Sequence, residues 1–237
     1  LVDHQPVDSR FLPRDWALMA AVTLVYACFA FWNLGDMSTA VTPWTPAQGE
    51  SVILSADGEC STLVYLPGIA PDDAHYAARV GVNVQVETSQ DGVNWTGCGT
   101  LSDGSVFAWK TYFVRLTALD GSVTINEAGL QYTGTSALAN IAGEGAGAAA
   151  LTDEQDQVPT EITYQNSTYF DEIYHARTAY EHILGLEPYE NTHPTLGKLL
   201  ISLGIRVFGM NPFGWRCVGA LLGVLMLFDG LNGFPSF

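Results

Sequence analysis

Residues 168–198 read TYFDEIYHARTAYEHILGLEPYENTHPTLGK, and the rest of the chain is organised around this stretch. Its first half predicts a helix, because apolar residues recur at helical spacing and form one stripe. That stripe consists of Ile173, Ala176, Tyr180 and Ile183. The second half is a loop that leads into an apolar run. Such a helix lies on an apolar surface and turns its acidic residues to water or to a substrate.

The sequence also predicts both ends of this helix. Thr168 is the expected N-cap, and Asp171 three residues later completes a capping box near the positive end of the helix dipole. Gly185 is the expected stop. The polar rim opposite the stripe carries Asp171, His175 and His182, with Glu172 and Arg177 at its flanks.

The composition indicates a membrane protein with a large exported part rather than a single soluble domain. Hydrophobic residues make up 48% of the chain, only 14% of residues are charged, and the formal net charge is −16. Nucleic acid is not an expected partner, because its phosphates require a basic protein face.

A first transmembrane helix is predicted at residues 16–35. This run has no charged residue and is long enough to cross a bilayer. Arg10 and Arg14 precede it, so the positive-inside rule places residues 1–15 in the cytoplasm as a polar lead. A cleaved signal peptide is the alternative. The length of the run and the lack of a nearby small-x-small cleavage sequence favour a retained helix.

Residues 40–132 change to the period of a β-sheet. Valines alternate with polar residues in 82–87, which predicts a half-buried strand. Asp91-Gly92 predicts a hairpin turn after it. Residues 113–116 and 123–125 predict further strands, so an extracytoplasmic antiparallel sandwich is expected.

Four segments of this region carry a resemblance. VNVQVETSQDGVNWT (82–96), FAWK (107–110), YFVRLTAL (112–119) and INEAGL (125–130) are similar to the discoidin-like (coagulation factor type C) β-sandwich. Many domains of that kind bind sugars through loops at one end. The resemblance therefore implies either carbohydrate binding or a structural, acceptor-positioning role.

A linker is predicted at residues 133–160, because residues 134–150 are rich in Gly and Ala and nearly free of charge. Their Gly-x-Gly follows no compact βα unit and precedes no Lys-Ser/Thr, which disfavours a phosphate-binding loop. Residues 161–198 then form an exported loop that contains the amphipathic helix. Residues 199–228 predict a partial membrane hairpin with a cytoplasmic turn at 210–215.

The four cysteines do not predict a metal site. Cys28 and Cys217 lie in apolar, membrane-type segments and are expected to be inert. Cys60 and Cys98 fall in the exported region, where a disulfide is chemically possible. Two buried free thiols are the equal alternative, because spacing does not establish contact.

Three pieces of the chain occur in a recognisable order. They are the acidic pair in Phe170-Asp171-Glu172, the His193-Pro194 turn with Leu196-Gly197-Lys198, and Phe213-Gly214-Trp215-Arg216 at a helix start. Residues 151–227 resemble the protein O-mannosyltransferase family, which comprises dolichyl- or polyprenyl-phosphate-mannose-dependent glycosyltransferases of the GT-C class. The resemblance implies a multi-pass protein of the plasma membrane, with 161–198 as its first extracytoplasmic loop. Thr195 departs from the family, which usually has a second Pro there.

The resemblance also implies roles for particular residues. Mannose would move from a polyprenyl phosphate to Ser or Thr hydroxyls of exported proteins, with Asp171 as general base and inversion at the anomeric carbon. Glu172 would orient the acceptor or the loop. His193, Lys198 and Arg216 are expected at the donor end, where they hold phosphate or fix the loop near the membrane face. The residues alone leave open that Asp171 only stabilises a helix end.

No cofactor or metal is expected. Asp171 and His175 share one helix face and imitate a zinc-protease motif, but the usual His pair is missing and no third ligand is evident.

The expected fold is an α+β membrane protein with a transmembrane helix, an antiparallel sandwich, an amphipathic loop helix and a truncated GT-C hairpin. The expected partners are the lipid-linked donor, an exported acceptor protein and the bilayer. The last apolar run, between Arg216 and Asp229, is too short to cross. Because 229–237 does not continue the family pattern, a truncated or frame-shifted fragment, inactive alone, is expected. The alternative function is a membrane-anchored carbohydrate-binding module without catalysis.

Overall fold

A computed structural model describes residues 12–68, 83–101, 109–121, 123–188 and 190–233, with side chains as far as residue 229. The fold of these residues is α+β. The helices are α1 (Pro13–Phe31), α2 (Glu172–Leu184), α3 (Thr195–Phe208) and α4 (Pro212–Gly233). The strands are β1 (Ser51–Pro67), β2 (Val84–Ser89), β3 (Thr96–Leu101), β4 (Thr111–Ala118), β5 (Ile125–Tyr132) and β6 (Ile141–Glu144).

The strands form one antiparallel sheet in the order β3-β2-β4-β1-β5, with β6 paired to β1. The long strand β1 pairs with three other strands. Its residues 51–55 pair with β4, residues 53–56 with β6 and residues 60–67 with β5. Its register shifts between Ser55 and Cys60. The predicted antiparallel sheet and the Asp91-Gly92 hairpin are confirmed. The pairings among the described strands give a single sheet and do not establish a two-sheet sandwich.

The core follows the alternation of the strands. Val84 and Val86 on β2, like Val114 and Leu116 on β4, are fully buried. Each such aliphatic side chain contributes about 1.5–3 kcal/mol by leaving water. The same core includes Trp44, which precedes the first strand.

Residues 141–158 pack on the sheet instead of forming the linker that was predicted. Residues 141–144 form β6, and Leu151 is buried in the core. Glu154 accepts hydrogen bonds from the N–H groups of Val41 and Thr42, both at 2.8 Å. The prediction failed because small apolar residues resemble a flexible linker in composition, although they can also pack closely against a sheet.

Helices α1 and α4 form an antiparallel pair. The rings of Trp16 and Phe228 are 6.3 Å apart at one end, and those of Phe31 and Phe213 are 6.5 Å apart at the other. Both helices are long and apolar enough to cross a membrane. The expectation that the last segment is too short to cross is wrong, because α4 begins at Pro212 and comprises 22 residues.

The turn between α3 and α4 lies beside the end of α1. Phe213 donates its N–H to the carbonyl of Asp36 at 3.1 Å, and the Asn211 amide donates to the carbonyl of Met37 at 2.9 Å. A bilayer crossed by α1 and α4 therefore has this turn on the same side as the sheet. This arrangement differs from the cytoplasmic turn predicted for residues 210–215, because the 14-residue α3 is shorter than the two helices of membrane-spanning length.

The cysteines are free thiols in the structure. Cys60 is buried in β1 and Cys98 is half-buried in β3, so the free-thiol alternative describes both. Cys217 is buried, and Cys28 lies exposed on α1.

Candidate functional site

The start of α2 places Asp171 in an accessible position. The helix begins at Glu172 with Asp171 as its N-cap residue, so the predicted N-cap at Thr168 is wrong. The carboxylate of Glu172 accepts the N–H of Tyr169 at 3.0 Å and so holds the turn that precedes the helix. Asp171 is exposed and its side chain makes no capping hydrogen bond. Its carboxylate is therefore available to another molecule.

Phe170, immediately before Asp171, has a left-handed backbone conformation with φ of 50°. A bulky residue in that region is strained, and such strain persists only where the surroundings fix it. The Phe170 side chain is also 82% exposed, so its own packing does not fix the backbone. The contacts that hold this turn come from Glu172, two residues later.

Glu172 forms an ion pair with Arg216 at the start of α4. Arg216 Nε donates to Oε1 at 2.8 Å, and Nη2 donates to Oε2 at 2.5 Å. The indole N–H of Trp215 also approaches Oε2, at 3.4 Å. This parallel two-point geometry is the strong form of an arginine–carboxylate pair.

Arg216 joins Glu172 to the end of α1 and to the preceding loop. Its Nη1 donates to the carbonyls of Leu34 at 2.9 Å and Tyr164 at 2.6 Å, and Nη2 also donates to the carbonyl of Ser167 at 3.1 Å. All five N–H groups of the guanidinium thus have protein acceptors. Arg216 therefore holds protein oxygens with all of its donors, and none is left for a phosphate.

The Glu172 carboxyl is held in its charged form. Burial raises its pKa, but the hydrogen bonds from Arg216 and from the Tyr169 N–H outweigh that effect, and the pKa lies below its usual value. The ion pair is consequently intact at neutral pH.

The buried face of α2 differs from the predicted stripe. Ala176 and Ala179 are buried, whereas Ile173 is 40% exposed. Arg177, expected at the polar rim, is buried and pairs with Glu181 one turn later at 2.5 Å. Periodicity missed this pair, because it assigns charged residues to the solvent face. The C-terminus at Gly185 is confirmed, with φ of 71°.

A second cluster surrounds Glu190 in the loop before α3. The ammonium of Lys198, which is only 2% exposed, donates to the Glu190 carboxylate and to its backbone carbonyl. The same carboxylate accepts the N–H of Thr192 at 2.5 Å and the N–H of His193 at 3.2 Å. The hydrogen bond from Lys198, followed by that from the Thr192 hydroxyl, holds the pKa of Glu190 far below its usual value.

His175 connects this second cluster to α2. Its ring meets the ring of His193 edge to face, with centroids 4.9 Å apart. His193 Nδ1 lies 3.2 Å from Glu190 Oε2. Since His175 follows Asp171 by one helical turn, the accessible carboxylate has the Glu172–Arg216 pair on its C-terminal side and the histidine cluster one turn further along.

The structure brings together most of the residues that the sequence singled out, but in two separate groups. Glu172 pairs with Arg216, and His193 and Lys198 meet at Glu190. Glu190 was missed as a site residue. Its position three residues before His193 was the available signal, since a carboxylate there can cap the following turn.

Comparison with known proteins gives a local match. Over 73 residues the chain is 38% identical to a polyprenol-phosphate-mannose–protein mannosyltransferase of Mycobacterium tuberculosis, which covers 28% of this chain. Over 64 residues it is 39% identical to a protein of the same name from Mycolicibacterium smegmatis, which covers 24% of this chain. No family model and no solved structure matches the chain. The matched stretch spans 14% and 12% of these relatives, so the likeness to mannosyltransferases concerns part of this chain and a small part of theirs.

Proposed function

We propose that these residues belong to a membrane glycosyltransferase that moves mannose from a polyprenyl phosphate to Ser or Thr hydroxyls of exported proteins. The observation that carries the proposal is Asp171, an exposed carboxylate fixed against two membrane-length helices by its neighbour Glu172. The names of the mycobacterial relatives support the donor and acceptor classes.

Asp171 is proposed as the general base. Its carboxylate would accept the proton of the acceptor hydroxyl as that oxygen bonds to the anomeric carbon. The bond from that carbon to the phosphate oxygen breaks with its electron pair on the phosphate. Attack opposite the leaving group inverts the anomeric carbon. The ion pair of Glu172 would keep Asp171 in place, which is the contribution of a positioning residue.

The donor phosphate is proposed to lie toward the loop before α3. His193 has a side chain that is 56% exposed, so it can reach a ligand there. Lys198 is buried against Glu190 and would act through it, by fixing the loop. Arg216 has its donors committed to protein oxygens and would likewise support the site from behind.

The proposed membrane arrangement has α1 and α4 crossing the bilayer, with the sheet and α2 on the extracytoplasmic side. Arg14 near the start of α1 agrees with a cytoplasmic N-terminal end. Apolar residues also line the outer surface of α3, with Leu196 68% and Val207 72% exposed. Because α3 does not cross, we propose that this surface rests on lipid at the interface. A discoidin-like sandwich and a GT-C membrane domain remain part of the proposal.

The test is a transfer assay on membranes that contain the complete reading frame around these residues. Radiolabelled polyprenyl-phosphate mannose and a Ser/Thr-rich peptide are supplied, and label in the peptide is measured. Peptide labelling above that of control membranes is expected. Membranes that contain the protein but leave the peptide unlabelled, with every donor sugar tested, would refute the proposal.

A carbohydrate-binding module without catalysis is the competing interpretation. It predicts that the full chain binds immobilised glycans and that peptide labelling does not exceed background. The two measurements together separate the interpretations.

A further inference from the structure

The cluster at the end of the α2–α3 loop contains three side chains that can bind a metal ion. His175, Glu190 and His193 each offer a ligand atom, and these atoms all lie within 4.8 Å of one another. His175 comes from α2, while the other two come from the loop before α3. The fold thus brings His175 together with two ligands that follow it by 15 and 18 residues, which is why no third ligand was evident in the sequence.

We propose that His175, Glu190 and His193 form a binding site for a divalent transition metal ion of the zinc class. Two imidazole nitrogens and one carboxylate oxygen are a ligand set that Zn²⁺ uses with a fourth position open to water or substrate. Mg²⁺ and Ca²⁺ prefer oxygen-only sites, so the two imidazoles favour a borderline metal.

One ligand pair already has the spacing of this coordination. Zinc bonds of about 2.0–2.2 Å in a tetrahedron place neighbouring ligand atoms about 3.3 Å apart. His193 Nδ1 and Glu190 Oε2 are already 3.2 Å apart. His175 is half-buried on a helix, and the proposal requires its side chain to rotate to close the remaining distance.

Lys198 supports the ligand role of Glu190. A carboxylate has about four lone-pair sites, and the ammonium of Lys198 occupies one of those on Oε2. The other side of Oε2 faces His193 Nδ1 at 3.2 Å, and a metal ion would bridge these two atoms in place of their hydrogen bond. Ligating carboxylates in metal sites are commonly hydrogen-bonded from behind in this way. The exposure of His193 leaves the fourth position accessible to solvent.

The test is zinc binding by the purified full chain in detergent, measured by competition with a chromogenic chelator. One Zn²⁺ per chain is expected. His175→Gln and His193→Gln are each expected to weaken binding about tenfold or more. His182→Gln is the matched control on the same helix, because His182 lies outside the cluster, and it should bind like the wild type. No saturable binding, or an equal loss in His182→Gln, would overturn the site.

A second measurement keeps the test decisive if His175→Gln does not fold. Zinc should raise the unfolding temperature of the wild type and of His182→Gln, but not that of His193→Gln, whose side chain is exposed. Co²⁺ should give the visible absorption of a tetrahedral site in the wild type and should not give it in His193→Gln. Equal thermal shifts in all three proteins would reject the proposal. Neither readout requires mannose transfer. The metal-site proposal can therefore be refuted while the proposed function is retained, and the proposed function can be refuted while the metal site is retained.

Discussion

Arg216 at the start of α4 holds Glu172 at the start of α2 through two hydrogen bonds, one of 2.8 Å and one of 2.5 Å. The pair connects residues 44 positions apart in the sequence. Helix α2 carries Asp171 at its start. The pair attaches this helix to the two helices that are long enough to cross a membrane. The position of Asp171 depends on that connection.

Replacing Arg216 by Met should destabilise the protein strongly. The change leaves the partly buried Glu172 carboxylate and three backbone carbonyls without their donor, and loss of one partner of a buried pair costs about 3–5 kcal/mol. Thermal unfolding in detergent measures the effect. Arg206→Met is the matched control, because Arg206 is exposed on α3. Equal unfolding temperatures for the two variants would contradict the role assigned to Arg216.

The Glu172 contribution should depend on pH in a defined direction. Its pKa is lowered in the folded protein, so the unfolded state binds more protons and the stabilisation increases with pH. The contribution is complete above the unfolded value of about 4.3 and is lost as pH falls through the folded pKa. The difference in unfolding temperature between wild type and Glu172→Gln should therefore be constant near neutrality and shrink in acid. A difference that grows in acid would show the opposite linkage.

Close packing of α3 on α4 requires glycine at position 204. A Cβ atom there would meet the backbone carbonyl of Gly214 and lie 2.7 Å from the sulfur of Cys217. Gly204→Ala should lower stability by about 1–3 kcal/mol, as overpacking does. Gly219→Ala, with nothing within 4 Å of its Cβ, should be neutral or stabilising. The unfolding temperatures of both variants test this prediction. An unchanged unfolding temperature for Gly204→Ala would refute the packing argument.

The side of the membrane on which α4 begins can be tested by cysteine labelling. In a background without the native cysteines, Val93→Cys on the hairpin loop and Arg206→Cys on the last turn of α3 should react with a membrane-impermeant reagent from outside intact cells. Arg14→Cys, at the other end of α1, should react only after permeabilisation. Labelling of Val93→Cys but not Arg206→Cys before permeabilisation would place α3 across the membrane after all.

The sequence predicted those parts of the fold that depend on local pattern. Alternation in 82–87 identified β2, and Gly185 marked the end of α2. Strand β1 was missed because Asp57-Gly58, which resembles a turn, lies where its register shifts. Bulges of this kind are fixed by neighbouring strands and have a weak local signal.

The site was predicted as a set of residues but not as an arrangement. The resemblance singled out Arg216 at a helix start, without indicating that its donors reach Leu34 and Glu172. Burial of Arg177 and Lys198 was not foreseen, because a charged residue is assigned to solvent unless its partner is known. Those partners come from the tertiary fold.

The central claim is that Asp171 acts as the base in mannose transfer, and Asp171→Asn tests it most directly. The variant keeps the size of the side chain and leaves the Glu172–Arg216 pair in place, but the amide cannot accept the acceptor proton. Transfer from polyprenyl-phosphate mannose to a Ser/Thr peptide, in membranes with equal amounts of protein, should fall about 10²- to 10⁴-fold. Asp156→Asn, at an exposed position after β6, should retain the wild-type rate. A wild-type rate in Asp171→Asn would contradict the claim.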